Sequence, residues 1–380
     1  GTEIKVLHII TGLNDGGAEA VLYRLCKHDI CNEIYVISLM GEGKYGNLLK
    51  DLDIEVFTLD MEASKIRLKH LFTLYSLIQR IKPDIIQTWM YHADVIGGSL
   101  AKILGIKVVV WNVRSGELHP TQKLSTKVFI RVSSLMSKFI PVSIISCSNR
   151  AIQIHKNIGY SDKFQLIDNG VNKNIFKLDS KKRSLFRAEI KVNDACILFG
   201  TVARFDPQKD HKSLLRAINM IDKKYNCKFL FVGSNMHKDN AQLNNWICKY
   251  KLNDRIILAG QRKDIQSVMC GIDYLILPSL YGEAFPNVII ESMSVGKPAI
   301  VTDIGDSKRI VKGLGWVTPP GSSKALSKAI NFAAELITNN YSEYQRMSIL
   351  AIKTVNENYT LDVMNLKYQD HWKTLLNLDD

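Results

Sequence analysis

The chain has 380 residues, 46% of them hydrophobic, so it is long enough for two globular domains with substantial cores. Its formal net charge of +13 favours anionic partners such as nucleic acid, acidic lipid or phosphorylated substrates. Seven scattered cysteines without a Cys-x-x-Cys pair argue against a zinc site or disulfide framework and predict a reducing, cytoplasmic setting. No uncharged apolar run reaches the roughly 18 residues of a membrane span.

The first half of the chain alternates short apolar runs with segments of helical character. The run Ile4–Ile10 predicts a buried strand, and the turn Gly12-Leu-Asn-Asp-Gly16-Gly17 separates it from a helix over 18–25. Further strands are predicted over 33–38, 83–88, 107–111, 144–147 and 164–167, and helices over 66–81 and 93–104. Such alternation indicates parallel sheets covered by helices on both faces, which is the α/β class.

The charged stretch Asp179–Arg183 interrupts this pattern and is expected to be a linker. The alternation then starts again. Strands are predicted over 195–202, 228–232, 255–258, 274–277 and 298–302, helices over 211–225 and 240–250, and mostly helix from 323 to about 378. We therefore expect one Rossmann-like domain over residues 1–178 and a second over 179–360.

The most informative segment is Tyr281-Gly-Glu-Ala-Phe-Pro-Asn-Val-Ile-Ile-Glu291, whose glutamates lie eight positions apart. Pro286 fits the first turn of a helix, which puts Glu283 in the preceding loop and Glu291 in the first turns. A helix N-terminus offers free N–H groups to phosphate, and a carboxylate on either side can accept hydrogen bonds from sugar hydroxyls. The segment therefore predicts a nucleotide-sugar site. The alternative is an ordinary amphipathic helix with surface acids.

Each half of the chain has a further motif directly after its first strand. Arg204 and Lys209 flank a turn at a strand's carboxyl end, where open α/β sheets bind ligands and where paired cations suit a diphosphate. The alternative is a basic loop with solvated charges. Gly16 and Gly17 match neither GxGxxG nor a P-loop, which argues against an NAD or ATP site. They could let a phosphate or sugar approach the backbone, or form only a tight turn.

In these motifs and their order, the chain resembles the family 4 glycosyltransferases of the GT-B type, the retaining group that builds bacterial surface polysaccharides. The matching segments are Gly16-Gly17-Ala-Glu19, Asn169–Asn172, Gly200–Lys209, Phe231-Val-Gly233, Ala259-Gly260, Pro278-Ser279, the Glu283–Glu291 pair and Gly296–Gly305. The resemblance implies two Rossmann-like domains that face each other across a cleft. It also implies a C-terminal helix, residues 361–380, that crosses back to the N-terminal acceptor domain.

The activity implied by this resemblance is retaining transfer of a sugar from a nucleoside diphosphate, UDP by preference, to a hydroxyl. Arg204 and Lys209 would hold the donor diphosphate, Glu291 the ribose hydroxyls and Glu283 the donor sugar. No metal and no cofactor is expected. The other donor-binding positions would contribute mainly backbone groups: Gly16, Gly17, Arg262, Phe285, Asn287 and Val288.

This sequence departs from the family's pattern at several positions. The family often has glycine where this chain has Ala284, and glutamate where it has Arg309. Many relatives place a histidine in the loop after the strand 107–111, where this chain has Arg114. An arginine cannot accept the acceptor's proton, so Arg114 would instead offer charge to a phosphate or sugar oxygen. His92 is a second candidate on the acceptor side, and its alternative is a structural histidine.

An acid-free stretch, 118–161, carries six cations: Lys123, Lys127, Arg131, Lys138, Arg150 and Lys156. Between 122 and 140 the cations alternate with apolar residues. This is typical of a helix on an anionic membrane, and the alternative is a core-packing helix with a solvated basic face. Many members of the family that this chain resembles use lipid-linked acceptors. We therefore expect a glycan or lipid-linked acceptor, and we expect peripheral contact of the protein with the inner face of the cell membrane.

Three rival functions differ in what they require. A GT-B sugar-nucleotide epimerase would share the fold but would need no acceptor. A nucleic-acid-binding protein would need aromatic platforms among its cations, and none is evident in the sequence. A dehydrogenase would need the GxGxxG motif that the chain lacks.

Overall fold

The computed structural model describes residues 3–62, 65–116 and 123–377. These residues form two compact units. Unit 1 comprises the chain up to Asn169 together with the segment from Leu361, and unit 2 comprises Gly170–Thr360. Each unit is built around its own parallel sheet.

The sheet of unit 1 has the strand order β3-β2-β1-β4-β5-β6-β7. Its strands are β1 (Lys5–Ile10), β2 (Glu33–Ser38), β3 (Glu55–Thr58), β4 (Ile85–Trp89), β5 (Val108–Asn112), β6 (Ser143–Ser146) and β7 (Phe164–Leu166). The helices between them are α1 (Gly17–His28), α2 (Gly43–Lys50), α3 (Leu68–Ile81), α4 (Tyr91–Ile103), α5 (Leu124–Met136) and α6 (Asn149–Ile158).

The sheet of unit 2 has the order β10-β9-β8-β11-β12-β13. Its strands are β8 (Ile197–Val202), β9 (Cys227–Val232), β10 (Ile256–Gly260), β11 (Tyr274–Leu277), β12 (Ala299–Thr302) and β13 (Gly315–Thr318). Its helices are α7 (Ser180–Glu189), α8 (His211–Met220), α9 (Ala241–Lys249), α10 (Ile265–Gly271), α11 (Asn287–Ser294), α12 (Ser307–Val311), α13 (Ser323–Asn339) and α14 (Tyr341–Asn358). A 3-10 turn, Pro207–Lys209, follows β8.

Both sheets are parallel throughout, which confirms the predicted α/β class with two Rossmann-like sheets. The central strands are buried along their whole length because helices cover both faces of each sheet. In unit 1, one core gathers around Trp89 with side chains of α1, and the core on the other face gathers around Trp111 with side chains of α3 and α4.

The last helix, α15 (Leu361–Leu375), belongs to unit 1. Trp372 is completely buried, and its indole N–H donates to Gln87 Oε1 at 3.1 Å. Tyr368 OH accepts from Asn112 Nδ2 at 2.9 Å. Two aromatic side chains therefore attach this helix to β4 and β5.

Two predictions along the chain were wrong. The stretch Asp179–Arg183 is not a linker: Asp179 caps α7 by accepting from the backbone N–H groups of Lys181 and Lys182. The helix predicted over 211–225 ends at Met220, because the chain turns where the backbone N–H of Asp222 donates to Asn331 Oδ1. None of the described helices combines the length and apolar character needed to span a bilayer.

Candidate active site

The carboxyl ends of β8 and β11 form the switch point of unit 2. From β8 the chain proceeds outward through β9 and β10, and it returns to β11 on the other side of β8. Ligands of open α/β sheets bind in the crevice at such a point. Arg204 and Lys209 follow β8, and Glu283 follows β11, so the structure brings these three predicted residues to this crevice.

The loop after β8 is fixed by two aspartates. Asp206 caps the 3-10 turn by accepting from the backbone N–H of Gln208 at 2.9 Å. Asp210, with a φ of 52°, caps α8 by accepting from the backbone N–H of Ser213 at 3.2 Å. This backbone presents the Lys209 ammonium to Glu283, and Nζ donates to Oε1 at 2.5 Å. Arg204 is more exposed, and its Nε lies 3.6 Å from Asp206 Oδ2.

Glu283 is buried, with 7% of its surface exposed, and Oε1 receives both of its hydrogen bonds within the described part of the chain. Besides Lys209, the donor is Ser279 Oγ at 2.8 Å. Gly305 packs against this loop with a φ of 57°, and a Cβ there would lie 2.4 Å from Glu283 O. Only glycine fits this position, so Gly305 allows the close approach of the backbone that carries Glu283, while Lys209 and Ser279 orient its carboxylate.

The segment after Glu283 forms the N-terminus of α11. Pro286 occupies the N-cap, one position earlier than a first-turn residue, and Asn287 and Val288 begin the helix. Glu291 lies one turn further along α11 and is half-buried. Phe285 packs against the ring of Tyr359 with centroids 5.6 Å apart. The predicted order of loop, helix N-terminus and second glutamate is therefore the observed one.

Arg262 is held by residues of its own unit. Its guanidinium donates to Asp264 at 2.8 Å and to Glu189 at 2.9 Å, and it lies 5.1 Å from the centroid of the Phe186 ring. The hydrogen bonds to Asp264, and then those to Glu189, raise the pKa of the guanidinium. Because this side chain is committed to two carboxylates, only the backbone of 260–262 is left for a base. Sequence reasoning had also expected backbone contacts here.

In unit 1 the switch point lies between β1 and β4, and the glycines follow β1. Gly16 is the N-cap of α1, and a Cβ there would lie 1.9 Å from Glu19 Oε2. A Cβ at Gly17 would meet nothing within 4 Å. Glu19 itself is nearly buried, and burial raises the pKa of its carboxyl. Of these two glycines, Gly17 has room for a side chain and Gly16 does not.

Arg114 lies two residues after β5 at the same sheet edge. Its guanidinium donates to Asn112 Oδ1 at 3.2 Å and to Asn169 Oδ1, and it lies 5.9 Å from the Trp89 ring centroid. Asn112 is positioned in turn by its hydrogen bond to Tyr368. The cation is therefore fixed by neighbours from β4, β5 and the segment after β7, and through Asn112 by α15.

His92, in the first turn of α4, stacks on Phe129 of α5 with ring centroids 4.4 Å apart and an interplanar angle of 16°. The imidazole is half-buried, and burial lowers its pKa. This packing supports the structural alternative for His92.

Sequence reasoning gave no role to Ser279, although it lies two residues after β11 and directs Glu283. Its own carbonyl accepts from Thr302 Oγ1 at 2.6 Å, so β12 supports the loop as well. The signal available in the sequence was its position between a buried strand and Glu283. Within the described ranges, no three His, Cys, Asp or Glu side chains cluster as metal ligands would.

The second unit carries the match to a known family. Residues 182–353 match the family described as Glycosyl transferases group 1. This part of the chain is similar to the group 1 glycosyl transferases. The match includes Arg204, Lys209, Glu283 and Glu291, so the crevice at the switch point of unit 2 lies inside the matched region.

Two bacterial glycosyltransferases are similar to the chain. It is 27% identical over 257 residues to the UDP-Gal:alpha-D-GlcNAc-diphosphoundecaprenol alpha-1,3-galactosyltransferase of Escherichia coli, covering 64% of each chain, less than two thirds of that enzyme. It is 24% identical over 313 residues to the N,N'-diacetylbacillosaminyl-diphospho-undecaprenol alpha-1,3-N-acetylgalactosaminyltransferase of Campylobacter jejuni subsp. jejuni, covering 77% of this chain and 79% of that enzyme.

The fold of the chain is also that of solved structures. Anabaena HepE in complex with UDP superposes with a TM-score of 0.85 at 21% identity, over 98% of this chain and 100% of that chain. WaaG, a glycosyltransferase involved in lipopolysaccharide biosynthesis, superposes with a TM-score of 0.69 at 12% identity, over 97% and 99%. Because the sequence identities are this low, the structural similarity establishes the GT-B fold alone.

Proposed function

We propose that the protein is a retaining hexosyltransferase that moves a sugar from a UDP-sugar to a hydroxyl of a lipid-linked glycan during cell-surface polysaccharide synthesis. The observation that carries the proposal is the cluster of Lys209, Glu283 and Ser279 at the switch point of the family-matched unit. The similar enzymes of E. coli and C. jejuni, whose names specify diphosphoundecaprenol-linked acceptors, support the acceptor class. They also favour transfer over the epimerase alternative, because both are named as transferases.

The donor diphosphate would bind between Arg204, Lys209 and the N-terminus of α11. An ammonium has three N–H donors, and Lys209 uses one of them on Glu283, which leaves two for phosphate oxygens. As the bond to the sugar breaks, negative charge grows on the leaving diphosphate. Fixed cations and the partial positive charge at the helix N-terminus stabilise that charge without reorganising, which makes electrostatics the main source of rate enhancement. This supports a metal-independent mechanism.

Glu283 would bind the donor sugar. Both of its described hydrogen bonds fall on Oε1, so Oε2 is left to accept from a sugar hydroxyl. Glu291 would accept from the ribose hydroxyls. The backbone around Phe285, Asn287 and Val288 would line the sugar and phosphate pocket, and the backbone near Arg262 would contact the base.

Gly16, Gly17 and Arg114 of unit 1 would act on the donor and acceptor. Arg114 stays protonated, so the departing phosphate oxygen would take the acceptor's proton in a front-side, retaining reaction. Arg114 would contribute position and positive charge, and Arg114→Lys should keep part of the activity that Arg114→Ala loses. A fully active Arg114→Ala enzyme would exclude this role and leave His92 as the acceptor-side candidate.

Peripheral contact with an anionic membrane is proposed for α5 and the residues that follow it. The buried side of α5 consists of Ile130, Ser133 and Ser134, whereas the larger apolar side chains lie on its exposed side. These exposed residues continue past the helix: Leu124, Val128, Val132, Leu135 and Phe139. A core-packing helix would have the reverse arrangement, and the interspersed lysines and arginine suit acidic lipid head groups.

A panel of nucleotides and sugar nucleotides tests donor binding most simply. A ligand that binds the folded state raises the apparent melting temperature. We expect UDP and one or more UDP-sugars to raise it in the wild type and to lose most of this effect in Glu291→Ala. Equal stabilisation by ADP, GDP and UDP, or none by any of them, would contradict the proposed donor.

A further inference from the structure

Unit 2 contains a cavity of about 790 Å³ at the amino ends of its strands. It lies where β8, β11 and β12 begin, and the helices α13 and α14 form its outer wall. This edge of the sheet is opposite to the edge that carries the candidate active site. Arg204, Lys209 and Glu283 follow the carboxyl ends of their strands, whereas the cavity lies at the amino ends. All of its lining residues belong to unit 2. The cavity is therefore separate from the candidate active site.

The one buried carboxylate in the cavity wall is Asp273. Its Oδ1 accepts from Arg183 Nη2 at 2.7 Å, and its Oδ2 accepts from the backbone N–H of Leu198 at 2.9 Å and from Arg187 Nη1 at 3.5 Å. Two guanidinium groups thus share this single carboxylate. Both oxygens of Asp273 are thus engaged, and the wall of the cavity carries a third cation as well.

Lys297 is that third cation. It lines the cavity with only 6% of its surface exposed, and in the part of the chain that the structure describes its ammonium has no hydrogen-bond partner and no ion pair. The backbone of Lys297 is fixed by Ser292, whose Oγ donates to its carbonyl at 2.7 Å. Burial, reinforced by the charge of Arg183, lowers the pKa of the lysine to about 8. Because this ammonium lines the cavity without a partner, an anion bound in the cavity would pair with it.

The rim of the cavity has a different chemistry from its floor. Leu178, Tyr341 and Ile349 line it and are largely exposed, and three polar lining residues are exposed beside them: Asp194, Thr338 and Gln345. The ring of Tyr341 stacks on that of Tyr344 with centroids 5.8 Å apart, which holds one side of the rim in place. The apolar side chains of the rim, above a cationic floor, fit a ligand that has an apolar body and an anionic end.

We propose that this cavity is a second binding site, for a small organic anion whose phosphate or carboxylate pairs with Lys297 and whose apolar body contacts the rim. The inference depends on unit 2 alone and does not depend on the proposed transferase activity.

Calorimetric titration of the full chain tests the site with three probes: inorganic phosphate, hexyl phosphate and hexanoate. Because phosphate could also bind near Lys209, each titration is repeated with Lys209→Ala, which should leave cavity binding unchanged. We expect Lys297→Met to weaken binding about 10-fold or more, the usual effect of losing a charge-assisted hydrogen bond. The probe that binds more tightly, hexyl phosphate or hexanoate, identifies the preferred anionic group. Tighter binding of either one supports the site.

Two variants of Ile349, an exposed residue of the rim, test the site even if Lys297→Met impairs folding. Ile349→Glu adds negative charge beside the cavity and should weaken all three probes. Ile349→Ser should weaken hexyl phosphate but not inorganic phosphate. In the wild type, hexyl phosphate should also slow acylation of Lys297 several-fold, as followed by mass spectrometry at pH 8. Absence of measurable binding by any probe, or equal affinities in the wild type and Ile349→Glu, would overturn the proposal.

Discussion

The contact between Lys209 and Glu283 links the two halves of the proposed donor site. The lysine comes from the loop after β8 and the glutamate from the loop after β11, 74 positions later. The pair orients a buried carboxylate, and it leaves the remaining N–H donors of the lysine for a phosphate. One side chain can therefore serve both the sugar and the leaving group.

Replacing either cation should reduce the rate of transfer without altering the fold of the sheet. Lys209→Ala or Arg204→Ala should lower kcat by roughly two to three decades, because each removes one preorganised charge from the leaving diphosphate. Lys212→Ala is the matched control, since Lys212 is exposed on α8 and lies over the ring of Trp246. Near-normal turnover in both site variants would remove these cations from the mechanism.

Gly17 offers a test in which stability and binding separate. A methyl group there meets no atom within 4 Å, and the position opens α1. Gly17→Ala should therefore leave the free energy of unfolding unchanged or raise it by up to about 1 kcal/mol. If a donor approaches this backbone, the same methyl should weaken UDP-sugar binding about 10-fold or more. Chemical denaturation and calorimetry measure both quantities, and unchanged affinity would place Gly17 away from the donor.

At the scale of elements, α5 is the segment whose exposed surface is least explained by packing. Its charges and apolar side chains should bind vesicles that contain anionic lipid, with about 1 kcal/mol per basic residue near the surface and less at high salt. Charge reversal at Lys123, Lys127 and Arg131 together should release the protein in a flotation assay.

The control for this experiment reverses three exposed lysines of unit 2, Lys223, Lys324 and Lys328, and so changes net charge equally. It should retain most vesicle binding. If the wild type ignores anionic vesicles at low salt, or if both triple variants lose binding to the same extent, α5 is a solvated helix and not a membrane contact.

The elements that could be predicted from the sequence are those with continuous apolar runs. β1, β4 and β11 are buried on both faces, and such strands stand out in any sequence. The edge strands β3 and β13 were missed because each has only four residues and is half-exposed, so no run marks it. The polar start of α7 was taken for a linker, since an exposed helix lacks an apolar stripe and depends on its cap.

The same limit applies to the site. Spacing around Pro286 was enough to place Glu283 in a loop and Glu291 on a helix, because both positions depend on local chain direction. The partners of Arg262 and Arg114 could not be predicted, since they come from Glu189 and Asn169, 73 and 55 positions away. Contacts of that kind are set by tertiary packing, which cannot be inferred from local sequence patterns.

At the scale of the whole molecule, the central claim is that this chain transfers a sugar from a UDP-sugar to an acceptor with retention. The measurement is an incubation of the full chain with the UDP-sugar selected by thermal shift and a diphosphoundecaprenol-linked sugar, without added metal and with EDTA, followed by NMR of the product. We predict a new glycosidic bond whose anomeric configuration is that of the donor, formed by the wild type and not by Lys209→Ala. An inverted linkage, an isomerised sugar nucleotide formed without acceptor, or activity restored only by Mg²⁺ or Mn²⁺ would contradict the account.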